Sequence, residues 1–290
     1  MSCFRRGTLC LLMLLSVGPL YAEPPQQLTF DGTMKFAPAF EGHEAIVYAV
    51  HREPTAVVLE RLEVASGDIT RVHQDVAAHQ LDPAFSADGR IHCYSKSESS
   101  PQMVLVIQDR EAQTQTEFRP REARAIARRP SIDSAAGRIV FHVSDVNGHQ
   151  IASVDFSGGD LQLLTQSTGI NAFPAVSPDG GRIAFSSSRD DDTELYVMDS
   201  DGENVTRLTH SPGLDTRPAW SPDGQHIAFT SNRDGDFEIY TMASDGSDVR
   251  RFTTAEGQDD FATWHPSGTQ LVIVGERRGG RDLYIYDVAP

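Results

Sequence analysis

A segment of about 44 residues repeats in register down this chain. Ser177-Pro178-Asp179-Gly180 returns as Ser221-Pro222-Asp223-Gly224 and, decayed, as His265-Pro266-Ser267-Gly268, each step being 44 residues. A fixed period of that length specifies repeated supersecondary units rather than one irregular domain. The register is followed upstream through Pro38, Pro83, Pro130, Pro174, Pro218 and Ala262, with an apolar side chain two positions on at Phe40, Phe85, Ile132, Val176, Trp220 and Trp264.

Further along each unit a second strand begins at Ile46, Ile91, Ile139, Ile183, Ile227 and Leu271, alternating with Tyr48, Cys93, Phe141, Phe185, Phe229 and Ile273. A period of two marks a strand with one row of side chains in the core. A third strand carries Leu195-Tyr196, Ile239-Tyr240 and Leu283-Tyr284, followed by Asp-Gly turns at Asp201-Gly202 and Asp245-Gly246. Glycine accepts positive φ cheaply, so Asp-Gly is a hairpin signal. A fourth strand ends at Leu164-Thr165, Leu208-Thr209 or Phe252-Thr253.

Four strands per unit at this period predict an all-β fold, a six-bladed β-propeller with blades starting near 38, 83, 130, 174, 218 and 262. The sixth unit has no fourth strand of its own before Pro290, but Leu28-Thr29 has the fourth-strand spacing relative to Pro38. An N-terminal strand is therefore expected to complete the last blade and close the ring, leaving no open sheet edge.

Residues 1–22 stand apart: Arg5 and Arg6 precede an apolar run from Leu9 to Val17, with a cleavage site after Tyr21-Ala22. This reads as a secretory signal peptide, too short in its apolar part to span a bilayer. The propeller is then assigned to 23–290, without a second domain or a later transmembrane segment, as an exported, periplasmic monomer. Cys3 and Cys10 leave with the signal, so Cys93 remains alone and reads as a buried core thiol.

The formal charge of −16 becomes about −18 once Arg5 and Arg6 are removed. So acidic a surface disfavours nucleic acid and anionic lipid as partners. Arg119, Arg121, Arg124, Arg128 and Arg129 form a local exception, read as a solvated loop or, alternatively, a docking patch for an acidic partner.

Pro218-Ala219-Trp220-Ser221-Pro222-Asp223-Gly224, Ile227-Ala228-Phe229, Asn232-Arg233-Asp234-Gly235, Glu238-Ile239-Tyr240 and Arg251-Phe252-Thr253 fall in one unit. With these motifs the chain resembles the TolB family of WD40-like propeller repeats, strongly over 170–286 and weakly over 38–165. The resemblance implies a periplasmic component of a Tol-Pal-like envelope system whose propeller binds a peptidoglycan-associated lipoprotein at one mouth of its channel. Members of that family also carry an N-terminal α/β domain and a leading strand, whereas here only Glu23 to Gln27 precede the closing strand.

In a propeller the first strand of each blade lines the channel, and the fourth-to-first connections meet the second-to-third turns at one face. Those connections supply Asn171, Phe173, Asp215, Arg217, Asp259, Asp260 and Phe261, and the turns supply Arg189, Asp190, Arg233, Asp234 and Arg277. Aromatics flanked by Arg and Asp have the composition of interface anchors. The recurrence of Arg189, Arg233 and Arg277 at steps of 44 also fits a structural role, pairing with carboxylates of a neighbouring blade. Asn171, Asp215 and Asp259 recur at the same step and are expected to point toward the channel mouth, or to cap turns. A carboxylate ring there could hold Ca²⁺, although no cofactor is required.

No Gly-x-Ser-x-Gly elbow, His-Glu-x-x-His helix or glycine-rich phosphate loop is present. His142 and His226 lie inside repeated strands and read as ordinary core or surface residues. The favoured function is a non-catalytic protein-binding scaffold of the cell envelope. The alternative is a metal-dependent hydrolase or lactonase using Asn171, Asp215 and Asp259 in the channel; the propeller that shields prolyl-peptidase active sites is a third relative of the repeat.

Overall fold

In the computed structural model, residues 24–53, 56–74, 78–97, 102–121, 124–145 and 148–288 are described. The signal-peptide assignment to residues 1–22 falls outside them. All regular elements in the described residues are strands.

Each Ser-Pro-Asp-Gly segment is a hairpin turn between a first and a second strand. Ser177 Oγ donates to Asp179 (2.6 Å) and accepts from Arg182 N (2.9 Å), while Gly180, at φ 73°, donates its N–H to Ser177 O (2.8 Å). Ser221-Asp223-Gly224 and Ser86-Asp88-Gly89 repeat these bonds, which is why serine, aspartate and glycine recur there.

The first strands are Lys35–Glu41, His79–Phe85, Ala127–Asp133, Gly169–Val176, Asp215–Trp220 and Asp259–Trp264. The prolines that mark the repeat therefore sit inside these strands, not at their start. Pairing with the second strand breaks register at each, between Phe36 and Ala39, Leu81 and Ala84, Arg128 and Ser131, Ala172 and Ala175, Thr216 and Ala219, and Asp260 and Thr263. Proline is tolerated at such a bulge because its missing N–H is not needed by the ladder.

Strand pairing gives four four-stranded antiparallel sheets and one eight-stranded sheet. The expectation of separate sheets, one per repeat, is corrected here. Strands from Ala127 to Leu163 and from Gly169 to Arg207 form two four-strand halves joined by a short parallel contact, Gly148 with Gly169 and His149 with Ile170. A Cβ on Gly148 would lie 2.4 Å from Gly169 O, so only glycine permits that contact.

Apolar clusters fill the seams between consecutive sheets and between the halves of the large one. Trp220, Phe229 and Tyr240 pack on Leu195 and Ala184, and Phe261, Val272 and Leu283 pack on Ile46, Tyr48 and Leu62, joining the C-terminal end of the fold to its beginning. Indole N–H groups staple two seams: Trp220 donates to Ala175 O (3.0 Å) and Trp264 to Ala219 O (3.1 Å).

The N-terminal strand Gln26–Gln27 pairs antiparallel with Gly280–Asp287, completing the sheet that begins at Asp259. Thr29 Oγ1 accepts from Leu283 N (3.0 Å), as Thr165, Thr209 and Thr253 accept from Ile151, Leu195 and Ile239 (2.9 Å each). The expected closure of the last unit by the N-terminal segment is thus what the backbone does. Cys93 is fully buried, as its place in the second-strand row implies.

Candidate functional site at the channel mouth

The bulge in each first strand puts one residue in the left-handed region: Ala37, Asp82, Arg129, Phe173, Arg217 and Phe261, with φ between 46° and 56°. Non-glycine residues pay of order 1–3 kcal/mol for such a conformation, and such strain concentrates at functional positions. These residues line one cavity of about 170 Å³, whose waist is formed by Pro38, Pro83, Pro130, Pro174 and Pro218.

At the level of the bulges the channel is crossed by four side chains. The Arg217 guanidinium lies 4.9 Å from the Phe173 ring centroid and 4.6 Å from that of Phe261, and Arg129 lies 5.2 Å and 4.8 Å from the same rings. Both cations are thus held against aromatic faces, whose quadrupoles attract them. Asp82 bonds Arg128 (2.8 Å) and lies 3.0 Å from Arg129 Nε. Burial opposes ionisation of Asp82, but Arg129 and Arg128 outweigh it and hold the carboxyl well below its usual range. Burial pulls Arg129 down to about 10, with Asp82 opposing and Arg128 and Arg217 adding to the shift.

Arg217 has one anionic partner here, Asp260, whose Oδ1 is 3.3 Å from Nη1 and also accepts from Thr230 Oγ1 (2.9 Å) and Phe261 N (2.9 Å). The Arg217 Nε is buried with no hydrogen-bond partner. His142 sits edge-on to Phe173 at 5.9 Å, and burial lowers its pKa to about 3, so it is neutral at physiological pH.

Phe173, Arg217, Asp260 and Phe261 are therefore brought together as the sequence suggested. Asn171, Asp215, Asp259, Arg189 and Arg233 are placed differently. Asn171, Asp215 and Asp259 are fully buried, not presented at the mouth. Arg189 donates to Asn171 (2.9 Å), Arg233 to Asp215 (2.7 Å), and Arg277 lies 2.7 Å from Asp259. Each pair joins the first strand of a sheet to the end of the second strand of the same sheet or, for Arg233, to the turn just after it, which corrects the expected pairing with a neighbouring blade. With each carboxylate facing an arginine, Asp215 and Asp259 do not form an open ring around the channel, and the described residues contain no group of three or more potential metal ligands.

Asp259 departs from its repeat mates. Asp215 accepts from Ser211 (2.9 Å), and Asn171 from Ser187 (2.8 Å); the corresponding positions beside Asp259 are Ala255 and Gly275. Burial, with Arg277 opposing and Glu238 assisting, raises its pKa to about 6.

Sequence reasoning missed Arg129 as a channel residue, assigning it with its neighbours to a loop or docking patch. Arg128 and Arg129 lie on the first strand Ala127–Asp133, and Arg119 pairs with Glu117. The available signal was position: Arg129 precedes Pro130 as Phe173 precedes Pro174 and Arg217 precedes Pro218.

The fourth-to-first connections around this mouth also expose apolar side chains: Phe30 (78%), Met34 (48%), Ile170 (52%) and Leu214 (42%). Met34, Ile170 and Leu214 each stand three residues before the left-handed position of their own unit. The cavity at the other end is larger, about 520 Å³, and is lined by the hairpin turns with Phe40, Phe85, Trp220 and Trp264.

Residues 164–289 match the family model of the TolB beta propeller domain. This part of the chain is similar to the TolB propeller repeat, and the strand pairing of the whole is that of an all-β propeller. No curated protein sequence matches it. A candidate TolB from Agrobacterium tumefaciens is similar in structure at 20% identity and a TM-score of 0.68, covering 88% of this chain and 90% of that one. TolB from Acinetobacter baumannii gives 20% identity and 0.67 over 84% of this chain, but only 64% of its own length is spanned. A gluconolactonase from Xanthomonas campestris has 14% identity and a TM-score of 0.66, covering 93% and 91%. At these identities the structural likeness establishes the fold alone.

Proposed function

We propose that this TolB-like propeller is an exported, periplasmic, non-catalytic scaffold that docks an envelope protein at the mouth formed by the fourth-to-first connections. In this reading the eight-stranded sheet counts as two blades, so the ring has six, closed by the N-terminal strand. The observation that carries the reading is the pairing of an exposed apolar rim, Met34, Ile170 and Leu214, with an aromatic and cationic centre, Phe173, Phe261, Arg129 and Arg217. Aromatics and arginine in a desolvated centre are the residues that dominate protein interfaces.

The hydrolase or lactonase alternative asks for inward, available carboxylates from several blades. Engagement of Asp215 by Arg233 and of Asp259 by Arg277 supports the scaffold instead. The TolB resemblance suggests a peptidoglycan-associated lipoprotein as partner. The test is calorimetric titration of that purified lipoprotein, from the same cell, into the exported chain and into Ile170→Glu/Leu214→Glu. Saturable binding to the parent, weakened about tenfold or more in the variant, is expected; equal binding to both would remove the mouth as the docking face.

A further inference from the structure

We infer that the channel mouth is a receptor for a single carboxylate, presented by a glutamate or aspartate side chain of the docked protein segment; this deepens the docking reading and rests on it for the carboxylate's source. Arg129, Arg217 and Asp82 line the cavity, with Arg128 paired to Asp82 and Asp260 to Arg217, so three guanidiniums meet two carboxylates here. It is a locally cationic centre in a chain whose formal charge is −16.

Charge alone would attract any anion, but the geometry is narrower. Arg129 and Arg217 each lie within 5.2 Å of both aromatic ring centroids, which holds the two guanidiniums in place. Arg217 Nε is a donor there, buried and unpartnered. A planar carboxylate matches the donor fork of a guanidinium, and a charge-assisted bond there satisfies the orphaned donor. About 170 Å³ admits a side-chain carboxylate and not a folded domain. The exposed Met34, Ile170 and Leu214 around the opening suit apolar residues on either side of the acidic one.

Two probes separate this proposal from the docking reading. In the first, glutarate and its neutral isostere glutaramide are titrated into the ¹⁵N-labelled exported chain while the Arg217 Nε–H resonance is followed by NMR. Glutarate is expected to shift that resonance saturably and glutaramide to leave it in place. In the second, a capped seven-residue peptide with a central glutamate between leucines is compared with its glutamine counterpart by fluorescence polarisation. The glutamate peptide is expected to bind at least about tenfold more tightly, an advantage that added salt reduces and Arg217→Gln abolishes. No response to glutarate, or equal peptide affinities, would overturn the carboxylate receptor. A glutarate response without peptide binding would keep the carboxylate site and overturn its protein source. A folded Arg217→Gln chain, checked by its thermal transition, that keeps the preference would overturn the role of Arg217.

Discussion

Thr29 Oγ1 donates to Asp282 Oδ1 at 2.8 Å, joining residues 253 apart in the chain. Thr209 and Thr253 make the same bond to Glu194 (2.6 Å) and Glu238, at the matching positions of other sheets. The closing seam thus copies an ordinary sheet interior, with one change. Where Asp215 and Asp259 stand elsewhere in the repeat, this seam has Lys35, fully buried and 3.1 Å from Asp282. The salt bridge is specific to closure, since the corresponding positions of the other seams are the acids Asp215 and Asp259 and the uncharged Gln80, Ala127 and Asn171.

Lys35→Met is expected to leave Asp282 buried beside an apolar side chain and to lower stability by about 3–5 kcal/mol, read from chemical denaturation. The double variant Lys35→Met/Asp282→Leu should recover much of that loss, because replacing both partners removes the orphaned charge. No recovery would show that the seam needs the ion pair itself.

Asp259 sets a pH dependence of unusual sign. Its carboxyl titrates at about 6 in the fold against an ordinary 3.8, so the folded state holds a proton that the unfolded chain releases. Its contribution to stability is therefore fully present below about pH 4 and is lost as pH rises through 6. Asp259→Asn should flatten the stability profile between pH 4 and 6.5 relative to the parent. Ala255→Ser, restoring the hydroxyl that Ser211 gives Asp215, should bring the Asp259 pKa down, measurable by carboxyl ¹³C titration.

Trp264→Phe keeps an aromatic ring at this partly buried position but deletes the donor to Ala219 O. A loss of about 1–2 kcal/mol is expected in thermal or denaturant unfolding, since a carbonyl in the seam is left without its partner.

Cys93 is fully buried, and burial pushes its thiol pKa far above the ordinary value. The folded protein should react with a thiol reagent no faster than it unfolds, and fully in denaturant. Rapid labelling of the folded chain would contradict its place in the core.

The repeat made the strand rows, the hairpin turns and the closing segment legible, because each depends on local chemistry: alternating apolar residues, Ser-Pro-Asp-Gly, and Leu28-Thr29 at fourth-strand spacing. The join between two units was not legible, since it depends on the backbones of Gly148 and Gly169 meeting across a seam. Nor were the bulges, for Ala37, Asp82, Arg129, Phe173, Arg217 and Phe261 share no side-chain property that announces a positive φ. Of the candidate site, Phe173, Arg217 and Phe261 were found and Arg129 was not. The destination of Asp215 and Asp259 was not, because a carboxylate near a channel reads the same whether it faces solvent or an arginine 18 residues on.

The central claim, that the fourth-to-first mouth is the docking face, is tested most directly by site-specific photocrosslinking in cells. A photoreactive residue is placed at Ile170, on the mouth, and separately at Val249, exposed beside the outer strand Arg250–Arg251. The expected result is one discrete crosslink to an envelope protein from position 170, diminished by Arg217→Gln, and none from 249. Crosslinking from 249 with none from 170 would contradict the account.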